Sequence, residues 1–180
     1  MSGKKPFGKD ALVIDAAKEA DRICEGIQAY LGRTRRKGAV VAMSGGIDSS
    51  VVAYLCVRAL GKGRVFGLHM PERESSSETI RFSRMISDSL GVESALEEIS
   101  ALLDASGCYR RRDESIRLVC PEFGPGYKAK IVLPSVVDDD SLRLFSVVVL
   151  TPDGREMKCR LTMEAYLGIV AATNFKQRTR

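Results

Sequence analysis

The stretch Ala39-Val40-Val41-Ala42-Met43-Ser44-Gly45-Gly46-Ile47-Asp48-Ser49-Ser50 constrains the fold of this chain more than any other. A short apolar run of small and β-branched residues reads as a strand buried on both faces of a parallel sheet. It runs into two adjacent glycines, and a helical pattern begins at once. A strand, a glycine turn and a helix in immediate succession have few solutions, and the α/β unit with a parallel strand to follow is the common one. The rest of the first hundred residues agrees. Residues 7–31 carry Leu12, Ala16, Ala20, Ile23, Ile27 and Leu31 at helical spacing, and Gly32 with the basic run Arg33-Thr34-Arg35-Arg36-Lys37 reads as a connection. A helix over residues 48–60 places Val51, Val52, Leu55, Cys56 and Ala59 inward, and Gly61 and Gly63 end it. Residues 64–70 form a second strand stopped by Pro71. Ser75-Ser76-Ser77-Glu78 opens a helix that reaches residue 90, and residues 93–99 are a third strand. The alternation predicts an α/β fold with right-handed crossovers.

After residue 100 the pattern changes. Residues 101–119 read as one helix, 121–126 as a loop and 128–133 as a strand. Residues 142–150 and 155–161 read as a hairpin around Thr151-Pro152-Asp153-Gly154. Asp138-Asp139-Asp140 reads as a solvated turn. A final helix over residues 163–180 carries Tyr166, Leu167 and Val170 on one face.

The loop at residues 44–50 has the make-up of an anion site. Glycines let the backbone approach an oxygen-rich ligand, and the helix start aims unpaired N–H groups and the positive dipole end at the same place. Ser44, Ser49 and Ser50 add hydroxyls. The carboxylate of Asp48 would repel phosphate unless a divalent cation lies between them, so it points to phosphate together with Mg²⁺. Two rival nucleotide motifs fail. No G-x-x-x-x-G-K-[ST] occurs, and Gly61-Lys62-Gly63 lacks a third glycine and follows a helix.

Composition narrows the partners. The net charge of +5 suits an anionic small molecule. The basic runs, Arg33 to Lys37 and Arg110-Arg111-Arg112, are short and without interleaved aromatics, which argues against nucleic acid. No stretch approaches the roughly 18 apolar residues of a membrane span, and the polar residues 1–10 lack a signal-peptide core. The five cysteines show no CxxC spacing, and the single histidine, His69, stands apart from them, so reduced thiols in the cytoplasm are expected in place of a zinc site. Cys24 and Cys56 fall on apolar helical faces. His69, in a strand beside the loop, reads as a structural or merely adjacent residue ahead of a general base, and the serines at 75–77 could touch ATP, with helix capping explaining them almost as well.

The string Ser44-Gly45-Gly46-Ile47-Asp48-Ser49-Ser50 resembles the signature of the N-type ATP pyrophosphatases, enzymes that adenylate a carbonyl oxygen. The signature is shared by NAD synthetases, the ATPase domain of GMP synthetase, asparagine synthetase and tRNA-modifying enzymes. Gly67-Leu68-His69-Met70-Pro71 with the serine-rich helix start, and Asn174-Phe175-Lys176-Gln177-Arg178-Thr179-Arg180 with its N-x-K-x-R-x-R pattern, resemble NAD synthetase in particular.

That resemblance covers about residues 7–100 and 163–180. It implies a single domain over 1–180 with an adenine nucleotide α-hydrolase-like (Rossmann-like) core and an inserted β-hairpin region at about 104–162. It implies ATP held by Ala42, Met43, Ser44, Gly45, Gly46, Ile47, Asp48, Ser49 and Ser50, Mg²⁺ on Asp48, and deamido-NAD on Asn174 and Arg178. The implied reaction is ATP-dependent amidation of deamido-NAD to NAD, in a homodimer, with ammonia as the nitrogen source or a separate glutaminase supplying it. The alternatives are another pyrophosphatase of this type or an inactive nucleotide-binding fragment. Relative to the family the chain is expected to be cut short, ending before a second acidic Mg²⁺ ligand, a threonine near ATP and a later lysine and aspartate.

Overall fold

The computed structural model describes residues 8–9, 13–132 and 145–179. Leu12, Leu133, Asp138-Asp139-Asp140, Leu142 and Arg180, all named above, lie outside the described residues. The chain forms two compact units, one through Glu98 and one from Ile99.

In the first unit, helix α1 (Ala16–Thr34) is capped by Asp15, whose Oδ1 accepts from the Lys18 N–H at 3.1 Å. Residues 13–15 precede the helix, so it starts later than its periodicity suggests. It also ends later. Gly32 lies inside it, and Arg35 at φ 52° closes it, with the Arg35 and Arg36 N–H groups donating to Gly32 O and Leu31 O. A glycine near a helix end is a stop only when it takes the left-handed conformation. Here the arginine takes it. Strand β1 (Ala39–Ala42) leads to helix α2 (Ile47–Leu60), and a 3₁₀ turn at Lys62–Arg64 replaces the expected start of strand β2 (Val65–His69). Helix α3 (Ser77–Leu90) follows, capped by Ser76, then strand β3 (Glu93–Leu96), three residues shorter than expected.

The three strands are parallel in the order β1-β2-β3, with Val41 opposite Gly67 and Gly67 opposite Ser94. One sheet face is buried. Val41, Met43 and Val65 pack with Cys24 and Leu31 of α1 and with Ala53, Cys56, Ala59 and Leu60 of α2. The inward stripe of α2 is therefore rotated from the expected one, with Val51 and Val52 half exposed. Nor is β1 buried on both faces: Val40 is 68% exposed. A run of β-branched residues cannot distinguish one covered face from two.

In the second unit, residues expected as one helix form two: α4 (Ser100–Ala105) and α5 (Cys108–Arg117). Gly107 at φ 72° breaks the rod between them. Strands β4 (Lys128–Val132), β5 (Ser146–Leu150) and β6 (Glu156–Arg160) make an antiparallel sheet in that order. The expected hairpin joins β5 to β6. Thr151 closes it, with its Oγ1 accepting from Arg155 N–H at 2.9 Å, and Gly154 takes φ 87°. Helix α6 (Met163–Thr179) packs on α5, where Gly168 faces Ser115. The core joins Ile116, Cys120 and Phe123 to Val147 and Val149 and to Leu161, Ala165 and Ile169. The buried stripe of α6 is thus Ala165, Ile169 and Ala172, and Leu167 is exposed. Among the described residues no helix is long and apolar enough to cross a membrane.

Candidate functional site: a glycine-serine loop at the carboxyl end of the sheet

Residues 44–50 leave the carboxyl end of β1 and enter α2, with Gly46 at the N-cap (φ −84°, ψ 163°). In parallel α/β sheets this end of the strands is where ligands bind. The loop is shaped by its own serines. Ser49 Oγ accepts from the Ser44 N–H at 3.2 Å, lies 2.9 Å from Ser44 Oγ and donates to Gly46 O at 3.1 Å. Ser44 Oγ accepts from the Gly46 N–H at 3.3 Å, and Ser50 Oγ donates to Gly46 O at 2.7 Å. These bonds close the turn on itself. The N–H groups of Ile47, Asp48 and Ser49, in the first turn of α2, have no carbonyl a turn behind them within the helix.

Gly45 is the position that admits no side chain. Its φ is +74°, and a Cβ there would lie 2.7 Å from Thr79 O and 3.0 Å from both Phe82 Cβ and Ser83 N on α3. The loop is seated directly on the backbone of α3. Gly46 is under no such constraint, the nearest atom to its would-be Cβ being Ser44 Oγ at 3.4 Å.

Of the expected nucleotide residues, Met43 is buried in the core and Ala42, Ser44, Gly46, Ile47 and Asp48 are exposed, Ile47 by 83%. Gly45, Ser49 and Ser50 are half-buried. The fold brings all nine residues together at the strand end and helix start. Asp48 stands in the first turn of α2 with its carboxylate toward solvent. Among the described residues no cluster of three or more histidine, cysteine or acidic side chains is placed to hold a metal. An Asp48 carboxylate beside free N–H groups suits an ion that takes one protein oxygen and draws the others from phosphate and water, as Mg²⁺ does.

Of the serines at the start of α3, only Ser76 is its cap, Ser75 closing the turn before the helix and Ser77 being its first residue. Ser76 Oγ accepts from the Thr79 N–H at 3.2 Å, and Ser75 Oγ accepts from the Glu72 N–H at 3.0 Å. His69 is 3% exposed, its ring between Ser83 and Ser87 of α3. Burial foremost, with the Arg84 cation second, pulls its pKa below the ordinary value, against a weaker opposite pull from Asp88. A buried ring with both nitrogens bonded is not a general base for a solvent-side substrate. Sequence reasoning did not pick out Ser83 and Ser87. The available signal was two serines at i, i+4 on the inner face of an amphipathic helix, where apolar residues are the rule.

In the second unit, Asn174 and Arg178 lie one turn apart on α6, both exposed. Lys176 is half-buried on another face.

A family model described as NAD synthase matches residues 19–119, more than half of the chain. The NH(3)-dependent NAD(+) synthetase of Rhizobium meliloti (strain 1021) is 49% identical over 174 residues, which are 97% of this chain and 52% of that protein. The protein of the same name from Mesorhizobium japonicum is 48% identical over 170 residues, 94% of this chain and 53% of that protein. The chain therefore spans about half the length of the curated relatives it matches. A glutamine-dependent NAD+ synthetase from Acinetobacter baumannii, solved in complex with ADP, superposes with a TM-score of 0.51 at 22% identity, over 57% of this chain and 20% of that one. That likeness concerns the fold, and places the parallel sheet and its helices with the adenine nucleotide α-hydrolase-like cores. With its glycine-serine loop at the strand end, that core, and a match running from α1 through α5, the chain belongs to the NAD synthase family.

Proposed function

We propose that this chain supplies the ATP-activating part of an ammonia-using NAD synthetase, which amidates deamido-NAD to NAD with release of AMP and pyrophosphate. The observation that carries this reading is the loop at residues 44–50, seated without clearance on α3 and opening onto the start of α2. A carboxylate is a poor acceptor for an amine because its leaving group would be oxide. Attack of the nicotinate carboxylate oxygen on the α-phosphorus of ATP breaks the bond to the pyrophosphate and leaves an acyl adenylate. Ammonia then adds to the acyl carbon, AMP departs, and a proton goes to solvent.

In this reading the backbone from Ala42 to Ser49 and the hydroxyls of Ser44, Ser49 and Ser50 hold the phosphates, and fixed N–H dipoles offset the charge that develops on them. Asp48 would hold Mg²⁺, which supplies charge neutralisation on the phosphates when bound. Arg178 offers a planar donor fork suited to a phosphate or carboxylate of deamido-NAD, with Asn174 beside it. The antiparallel sheet and its flanks, about 104–162, are proposed as an insertion in a single pyrophosphatase-type domain. The working enzyme is proposed to be a cytoplasmic homodimer. The five free thiols, four of them buried, support a reducing compartment.

The test is product analysis with ATP, Mg²⁺, deamido-NAD and ammonium, alongside calorimetry with ATP and Mg²⁺. Saturable heat in the wild type, and its loss in Asp48→Asn at unchanged stability, is the expected result. No heat at millimolar nucleotide from folded protein would overturn the loop assignment. AMP and NAD appearing together would establish the ligase reaction. Binding without either product would keep the nucleotide site and show that these 180 residues do not complete the reaction by themselves.

A further inference from the structure

We propose that His69 is a positioning residue for the nucleotide loop: by clamping Ser83 and Ser87 it fixes the stretch of α3 on which Gly45 is seated. The inference rests on the reading that this loop takes ATP, and adds a residue that touches neither nucleotide nor metal.

His69 is the last residue of β2 and is buried at 3% exposure. Its Nδ1 lies 3.0 Å from Ser83 Oγ and its Nε2 3.0 Å from Ser87 Oγ. The two serines are one turn apart on the inner face of α3, so a single ring grips the helix at two points. Each hydroxyl also has a carbonyl of its own helix to donate to: Ile80 O at 2.9 Å for Ser83 and Ser83 O at 3.1 Å for Ser87. A neutral imidazole has one N–H and one lone pair. One serine therefore accepts from the ring and keeps its bond to the helix carbonyl, while the other turns its proton to the ring. Either tautomer leaves the clamp closed.

Two further contacts connect the clamp to the loop. Ser83, gripped by Nδ1, is also the residue whose backbone N would lie 3.0 Å from a Cβ on Gly45. Ser87, gripped by Nε2, approaches Met43 Sδ at 3.3 Å, and Met43 is the residue from which the loop departs. Met43 N–H in turn donates to Leu68 O at 2.9 Å, next to His69. The carboxyl ends of β1 and β2 and the middle of α3 are thus tied together at the level of the loop. Packed interiors transmit displacement because they have no slack. A shift of α3 by a few tenths of an ångström would unseat Gly45 and open the turn that aims the N–H groups of Ile47 to Ser49.

His69 is the only histidine in the sequence, so selective ¹⁵N labelling gives one imidazole and no assignment problem. The experiment adds ATP with Mg²⁺ to the labelled 180-residue protein and follows the ring nitrogens, with ATP affinity measured in parallel for His69→Ala, His69→Gln and Leu31→Ala. Leu31 lies in the same core on α1, away from the loop, and serves as a control for lost stability alone. Expected are a saturable shift of the buried ring nitrogens with the dissociation constant found by calorimetry, at least tenfold weaker ATP binding by His69→Ala, partial recovery in His69→Gln, and wild-type affinity in Leu31→Ala. Ring nitrogens that stay still while the wild type binds ATP would overturn the proposal, even if no His69 variant folds. So would wild-type affinity in a folded His69→Ala. Absence of ATP binding by the wild type would overturn it together with the loop assignment, and is told apart from the other failures by the missing heat.

Discussion

Replacing Gly45 with alanine adds one methyl group at the place where the fold has no room for it. Two costs are separable. The backbone sits at φ +74°, and holding a residue with a Cβ in the left-handed region costs about 1–2 kcal/mol. The new Cβ would also stand 2.7 Å from Thr79 O and 3.0 Å from Ser83 N. These are backbone atoms of α3 and cannot rotate away, so the helix or the loop has to move, at roughly 1–3 kcal/mol for overpacking. Together the destabilisation is about 2–5 kcal/mol, a large part of the roughly 5–15 kcal/mol that holds a typical domain. With a urea dependence of about 2 kcal/mol per molar, the middle of the usual range, the midpoint falls by roughly 1–2.5 M. Gly46 is the internal comparison. Its φ is −84° and its would-be Cβ meets only a serine hydroxyl at 3.4 Å. Alanine there costs about 1 kcal/mol or less, mainly through its poorer fit at an N-cap. The assay is urea denaturation of both variants followed by ATP calorimetry of the folded protein. Gly45→Ala is expected to lose both stability and nucleotide affinity, and Gly46→Ala to keep most of its stability. Equal midpoints for the two would refute the claim that the loop rests directly on α3.

The neutral form of His69 is the one the fold prefers, because burial and Arg84 lower its pKa. Its stabilising share is complete above the unfolded value of about 6.5 and is lost as pH falls from there through the folded value, with a slope of at most about 1.4 kcal/mol per pH unit; denaturation of wild type and His69→Gln between pH 5 and 7 should show the shallower slope in the variant. In the second unit, Gly168→Ala would place a Cβ 2.2 Å from Ser115 Oγ and 3.0 Å from Ser115 Cβ. The hydroxyl can turn away only by giving up its 2.8 Å bond to Arg111 O, so a loss of about 1–3 kcal/mol is expected, with partial recovery on adding Ser115→Ala, both read from urea midpoints. Burial pushes the Cys120 thiol up to about 11, with the hydrogen bond its own S–H makes to Cys159 second. Alkylation at pH 8 followed by peptide mass spectrometry should therefore leave Cys120 unmodified until denaturant is added.

The loop was legible because everything that defines it is local: a strand, two glycines and a helix start within twelve residues. The helix caps at Ser76 and the hairpin at Thr151 to Gly154 were legible for the same reason. What escaped was tertiary or depended on a dihedral angle. Gly32 and Gly107 look alike in the sequence, yet one continues a helix and the other breaks one, since only the second takes a positive φ. The inward stripe of α2 was misplaced because nearly every position there is apolar, so periodicity has little contrast. Val40 was expected to be covered on its outer side, and the strand pattern holds no information on that point. The clamp formed by His69, Ser83 and Ser87 joins residues 14 and 18 positions apart, and nothing in the local pattern at His69 names its partners.

The serine bonds that close the loop determine how its encounter with a ligand is divided thermodynamically. A turn already held by Ser44, Ser49 and Ser50 loses its conformational entropy when the chain folds, not when a nucleotide arrives. On the proposed reading, binding then consists of exchanging water for phosphate oxygens on a frame already held. Such an exchange has little of the heat-capacity change that accompanies coupled folding. Thermal stabilisation by nucleotide should accordingly rise with the logarithm of its concentration above the dissociation constant. A rigid frame also selects by shape: a ligand whose phosphate oxygens do not match the spacing of the loop's donors meets a surface that does not adjust to it.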